Sequence, residues 1–141
     1  MRMNSALEKV RVLCCGTFDY LHPGHESFLT QASLLGDELI VVIARDSNVG
    51  KLKGRLPDHD EITRKKKVEK LGIAVNVVLG HEGMNLLRIV SEINPDVIAL
   101  GYDQRPPNKL SEQFPKIRIK RLDSFEPEKF KSSVIRKQYG R

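Results

Sequence analysis

At 141 residues the chain falls within the usual length of a single domain and is long enough to bury a core without disulfide or metal staples. Hydrophobic residues at 40% and charged residues at 30% exclude the disordered and membrane-embedded classes, and no apolar run nears the roughly 18 residues of a membrane span. Net charge is +6, from 24 Lys and Arg against 18 Asp and Glu, which suits an anionic partner; without Trp or any interleaving of aromatic with basic residues, a small phosphorylated ligand ranks above a nucleic-acid strand.

Residues 1 to 9 read as a lead-in with no apolar h-region, so a cytoplasmic protein is expected. Residues 11 to 15 form the first predicted strand. Its Cys14 and Cys15 point to opposite faces and read as two small core residues rather than a reactive dithiol. A turn follows, Gly16-Thr17-Phe18-Asp19-Tyr20-Leu21-His22-Pro23-Gly24-His25, and then Phe28, Leu29, Ala32 and Leu35 recur at helical spacing up to a stop at Gly36. Glu38 to Ala44 is the near-continuous apolar run of a strand buried on both faces. Residues 47 to 58, with Gly50, Lys51, Lys53, Gly54, Arg55 and Pro57, read as a mobile basic loop.

A second helix is predicted from about Asp60 to Leu71, a third strand from Val75 to Leu79, and a third helix from Asn85 to Ile93, broken at Asn94-Pro95. Asp96 to Leu100 is the fourth strand. Lys116 to Leu122 alternates basic and apolar residues as an edge strand does, and the tail from Ser132 reads as a short final helix. Strands alternating with helices imply an α/β fold: one Rossmann-like domain over residues 1–141, a parallel sheet with helices on both faces.

In such a sheet the turn after the first strand lies where ligands bind. Gly16 permits close approach of a phosphate, the N–H groups of the turn and of the following helix N-terminus are positive, and His22 and His25 add two movable donors. The two imidazoles can be read as a metal pair, as general bases or as phosphate donors. Zinc needs a third protein ligand, and His59 and His81 lie in unrelated loops, so metal is the weaker reading. Lys51 and Lys53, flanked by Gly50 and Gly54, fit a lid that closes over phosphates. Of the run Arg64 to Lys67, Arg64 is the functional candidate, with Lys65 and Glu69 a surface pair. Asp103, at the end of the fourth strand, fits a ribose or base contact.

Gly16-Thr17-Phe18-Asp19 followed by His22-Pro23-Gly24-His25 resembles the signature of the cytidylyltransferase-like nucleotidyltransferases, which join a nucleoside monophosphate unit to a phosphorylated acceptor. The resemblance extends over nearly the whole chain: Lys51 and Lys53 match the basic pair after the second strand, Arg64 the arginine opening the second helix, and Asp103 the aspartate after the fourth strand. Val42-Ile43-Ala44-Arg45-Asp46, Lys51-Leu52-Lys53-Gly54 and the stretch from Asn94 to Gln104 are most similar to the archaeal FAD synthases, with glycerol-3-phosphate cytidylyltransferases next. Where cytidylyltransferases carry Arg-Thr-Glu-Gly-Ile-Ser-Thr-Thr, this chain has Phe130-Lys131-Ser132-Ser133-Val134-Ile135-Arg136, and their Gly-Asp-Asp-Trp is Gly101-Tyr102-Asp103-Gln104.

The resemblance implies the nucleotidyltransferase fold and transfer of AMP from ATP to FMN, with FAD and pyrophosphate as products. It makes His22, His25 and Lys51 the catalytic candidates. The nucleotide would be held by Gly16, Thr17, Phe18, Gly24, Lys53, Arg64, Asp103, Ser132, Ser133 and Arg136 as well. A divalent cation such as Mg²⁺ would accompany the triphosphate; no metal ligand is assigned, and Asp19 is the one candidate inside the turn. ATP and FMN are the implied partners, with no nucleic acid and no membrane, and a homodimer is suggested. The alternatives are CTP with glycerol 3-phosphate or a related phospho-alcohol, a basic nucleic-acid-binding domain, and a nucleotide sensor without turnover.

Overall fold

The computed structural model of the chain describes residues 9–83 and 86–124. Among these residues five strands, β1 (Arg11–Gly16), β2 (Glu38–Ile43), β3 (Asn76–Leu79), β4 (Val97–Leu100) and β5 (Arg118–Arg121), form one sheet in the order β3-β2-β1-β4-β5, every pair parallel. The connecting helices are α1 (Pro23–Ser33), α2 (Asp46–Lys53), α3 (Glu61–Lys70), α4 (Leu86–Ile93) and α5 (Leu110–Gln113).

The pleat sorts the strand residues into two layers. Val12, Cys14, Leu39, Val41, Ile43, Val97 and Ala99 pack with Leu29 and Ala32 of α1 and Val68 of α3. Leu13, Val42, Ile98 and Leu100 pack with Ile89 and Val90 of α4 and Leu110 of α5 on the opposite face. Helices therefore cover both faces, as the unbroken apolar run of β2 requires. Burial pushes the buried Cys14 thiol well above its usual range and the partly buried Cys15 up to about 12, so neither is a ready thiolate at pH 7. The basic strand β5 is exposed along its length at one edge, where its charges discourage pairing with another chain.

Two expectations change. The segment read as a mobile loop is α2, closed at Gly54, whose φ of 74° is the left-handed helix stop that glycine adopts without strain. Helix α5 follows the Pro106-Pro107 pair, between the predicted fourth and edge strands, where no element was predicted. The final helix predicted from Ser132 lies outside the described residues.

The order of the strands reverses between β1 and β4, and these strands pair only at Val12 with Val97 and Leu13 with Ile98. Beyond that point they part. The crevice between their carboxyl ends, at Gly16 and Gly101, is the switch point at which parallel α/β sheets bind ligands.

Candidate active site

The turn from Gly16 to His22 forms the floor of this crevice. Phe18 has φ of 54°, an uncommon conformation for a bulky residue, and its ring folds back toward Gly16. A Cβ on Gly16 would stand 2.7 Å from Cε2 of that ring. The glycine is thus needed to admit Phe18, a reason added to the phosphate approach inferred from sequence.

His22 caps α1. Its Nδ1 accepts from the N–H of Gly24 at 3.1 Å, its carbonyl receives the N–H of His25 at 2.9 Å, and Pro23 begins the helix with a preset φ. Because Nδ1 accepts, the neutral ring carries its hydrogen on Nε2. The His25 ring stacks on His22 at 3.8 Å between centroids and meets the edge of Phe18 at 5.1 Å. Its Nδ1 is buried with no hydrogen-bond partner among the described residues. Burial lowers His22 to about 4; burial first and the neighbouring His22 second lower His25 to about 3. Both imidazoles are therefore neutral at pH 7 rather than fixed cations, each carrying one ring N–H.

A second set of residues secures the turn from below. Asp19 is buried, and its carboxylate accepts from the N–H groups of Asp58 and His59, each at 2.9 Å, while Nδ1 of His59 lies 2.7 Å from the Asp19 carbonyl. Tyr20 donates its hydroxyl to Asp58, which also receives Arg55. Asp19, the metal candidate of the sequence, is thereby committed to protein N–H groups, and among the described residues no three His, Cys, Asp or Glu side chains gather to hold a metal.

Arg64 is engaged within the protein. It is fully buried, and its guanidinium donates to the carbonyls of His59, Thr17 and Ala44 at 3.0, 2.8 and 2.8 Å and to the Asp46 carboxylate at 2.6 Å. The apparent phosphate ligand is placed as a bolt that ties the turn, the end of β2 and the start of α3 together. Its fork suits this use because five N–H donors can serve several acceptors at once.

The lysine pair is divided. Two residues apart on a helix, Lys51 and Lys53 point about 200° from one another. Lys53 is the one whose charge reaches His25, adding to the fall in its pKa. Both lysines thus stand on helix α2 rather than on a flexible loop, with Lys53 nearer the histidines.

Across the crevice, Oε1 of Gln104 accepts from the Gly101 N–H at 3.1 Å and its Nε2 donates to the Cys15 carbonyl at 3.2 Å, bridging β4 to β1 where the strands part. Arg121 donates to the carbonyls of Gly101, Tyr102 and Gln104 and fixes the same loop. Asp103 sits exposed at its tip. Ser132, Ser133 and Arg136 lie outside the described residues. Gly16, Thr17, Phe18, His22, Gly24 and His25 are brought together as expected, with Lys53 beside them. His59, set aside as belonging to an unrelated loop, is in direct contact with the turn; no spacing signal marks a partnership across 40 residues.

The chain is similar to proteins of known class. Residues 13–138 match the family model described as cytidylyltransferase-like. Proteins named FAD synthase from Thermoplasma volcanium and Thermoplasma acidophilum are 37% and 40% identical over 134 residues, 92% of this chain and 93% of each relative. The FAD synthase of Methanosarcina barkeri is 52% identical over 95 residues, 67% of this chain and 66% of that protein. A crystal structure described as the lipopolysaccharide core biosynthesis protein from Thermoplasma volcanium superposes with a TM-score of 0.76 at 36% identity, covering 84% of this chain and all of that one. With the match running from β1 past β5, and the paired histidines standing on the first helix at the sheet's switch point, the chain belongs to the cytidylyltransferase-like family of nucleotidyltransferases.

Proposed function

We propose that the protein is an FMN adenylyltransferase, joining the AMP unit of ATP to the phosphate of FMN to give FAD and pyrophosphate. The observation that carries this is the stacked, neutral His22–His25 pair at the N-terminus of α1, in a chain whose relatives over 92% of its length are named FAD synthase. An oxygen of the FMN phosphate attacks the α-phosphorus of ATP as the bond from that phosphorus to the bridging oxygen of the β-phosphate breaks. The nucleophile is already ionised near neutrality, so the work of the protein is alignment and stabilisation of redistributing charge, with no covalent enzyme intermediate.

In this reading His22, through its Nε2–H, and His25 donate to oxygens around the α-phosphate, together with the N–H groups of Thr17 and Phe18. Lys53 leads in holding the β- and γ-phosphates and the departing pyrophosphate, and Lys51 acts from the rim of α2. Arg64 and Asp19 hold the turn in place. Asp103 meets the nucleoside, and Ser132, Ser133 and Arg136 contribute from the tail. A divalent cation such as Mg²⁺ would accompany the triphosphate and offset its charge, held in large part by the triphosphate's own oxygens. No helix of the described residues is long and apolar enough to cross a membrane. A cytoplasmic homodimer that binds neither nucleic acid nor membrane completes the reading.

The test is a pyrophosphate-release panel of ATP or CTP with FMN, glycerol 3-phosphate, ethanolamine phosphate or phosphopantetheine. ATP with FMN is expected to be fastest, with FAD identified by chromatography. Dominant release with CTP and glycerol 3-phosphate overturns the flavin assignment and leaves the transfer chemistry intact. Silence throughout, with ATP still bound, identifies a sensor.

A further inference from the structure

We propose that His59 is a positioning residue for the transfer, holding through Asp19 the turn that carries His22 and His25. The inference rests on the adenylyl-transfer reading above. His59 reaches the turn in three ways: its ring Nδ1 lies 2.7 Å from the Asp19 carbonyl and 3.1 Å from the Asp19 carboxylate, its backbone N–H donates to that carboxylate at 2.9 Å, and its ring meets Tyr20 edge-on at 5.0 Å. A carbonyl only accepts, so Nδ1 must carry hydrogen. One bond therefore sets both the tautomer and the plane of the ring.

The position of the Asp19 carbonyl gives this contact its consequence. Phe18, immediately before it, is held at φ of 54°, a conformation that a bulky residue keeps only where its surroundings enforce it. The bond from His59 restrains the residue next to that strained one. Phe18 in turn presents its ring to His25 at 5.1 Å, and His25 stacks on His22. The path runs from a loop imidazole to the Asp19 backbone, to the Phe18 ring and to the donor pair. The His59 side chain is 31% exposed, so it fills little of the core and its removal empties no large cavity. Its effect falls on geometry.

The test compares His59→Leu, which keeps apolar contact with Tyr20 but has no donor, with His59→Asn, whose side-chain amide can donate from near the Nδ1 position. Turnover of ATP with FMN is expected to fall roughly ten- to hundredfold in His59→Leu, with the KM for ATP within about twofold of wild type, because misplacement of the donors acts on the reaction more than on binding. His59→Asn is expected to recover most of the loss. Near-wild-type kcat in His59→Leu, or no recovery in His59→Asn with both variants folded by near-UV circular dichroism, overturns the proposal. Should the wild type itself not convert ATP and FMN, the functional reading fails, and the proposal is decided by the ring ¹H–¹⁵N signals of His22 and His25. These are expected to move in His59→Leu and to stay in place in His59→Asn; unmoved signals in His59→Leu overturn it.

Discussion

His25→Asn should flatten the dependence of stability on pH. In the unfolded chain the imidazole titrates near 6.5, whereas in the fold burial and the stacked His22 push His25 down to about 3. Between those values the unfolded chain binds a proton that the folded one refuses. The associated stability is thus fully present above about pH 6.5 and is lost as the pH falls toward 3. From pH 7.5 to 5.0 the difference in proton binding at His25 costs the fold about 2 kcal/mol, a figure that hardly changes so long as the folded value stays below about 4. That corresponds to a fall in Tm of about 4–8 °C for a chain of this size. His22, lowered to about 4, acts in the same direction but is present in both proteins, so its contribution largely cancels in the comparison. The assay is urea unfolding of wild type and His25→Asn at pH 7.5 and 5.0. The wild type should lose about 2 kcal/mol more than the variant over that interval, and losses equal to within about 0.5 kcal/mol, near the error of the extrapolation, would refute the assignment of a buried neutral imidazole.

Arg64→Met should cost about 3–5 kcal/mol in thermal or urea unfolding, since it strands the Thr17, Ala44 and His59 carbonyls and leaves Asp46 without its partner; a cost below about 1 kcal/mol would return Arg64 to the list of phosphate ligands. Gly16→Ala should destabilise by about 1–3 kcal/mol and depress turnover, because its Cβ would lie 2.7 Å from the Phe18 ring; unchanged Tm and kcat would show that the ring yields freely. Lys53→Ala should weaken ATP binding about tenfold and Lys51→Ala clearly less, as expected of side chains about 200° apart on α2; equal losses measured by calorimetry would restore the paired lid. Cys14 and Cys15 should resist a thiol reagent in the native protein and react only on unfolding, which a labelling time course in and out of urea checks.

Much of this protein can be read along the chain because the relevant physics is local. The apolar run of β2 announces a strand buried on both faces, Pro23 after His22 announces a helix start, and Asn94-Pro95 announces a helix end; each depends on neighbours within a few residues. The donor turn is legible for the same reason, since Gly16 and the two histidines are adjacent in sequence. The α2 segment reads as a loop because Ser47, Asn48 and Gly50 weaken helix propensity, while Val49 and Asn48 are buried by contacts the sequence does not display.

What tertiary structure alone decides is which side chains are left to meet a ligand. Arg64 looks like a phosphate ligand until three carbonyls from separate segments converge on it, and Asp19 looks like a metal ligand until two N–H groups from beyond α2 occupy its carboxylate. His59 shows no role until the fold sets it against a turn 40 residues earlier. Each case turns on hydrogen bonds between groups distant in sequence, and a donor held by the protein is no longer offered to a substrate. Residue type and local spacing determine what a side chain is able to bind, whereas long-range packing determines which partner it has already taken.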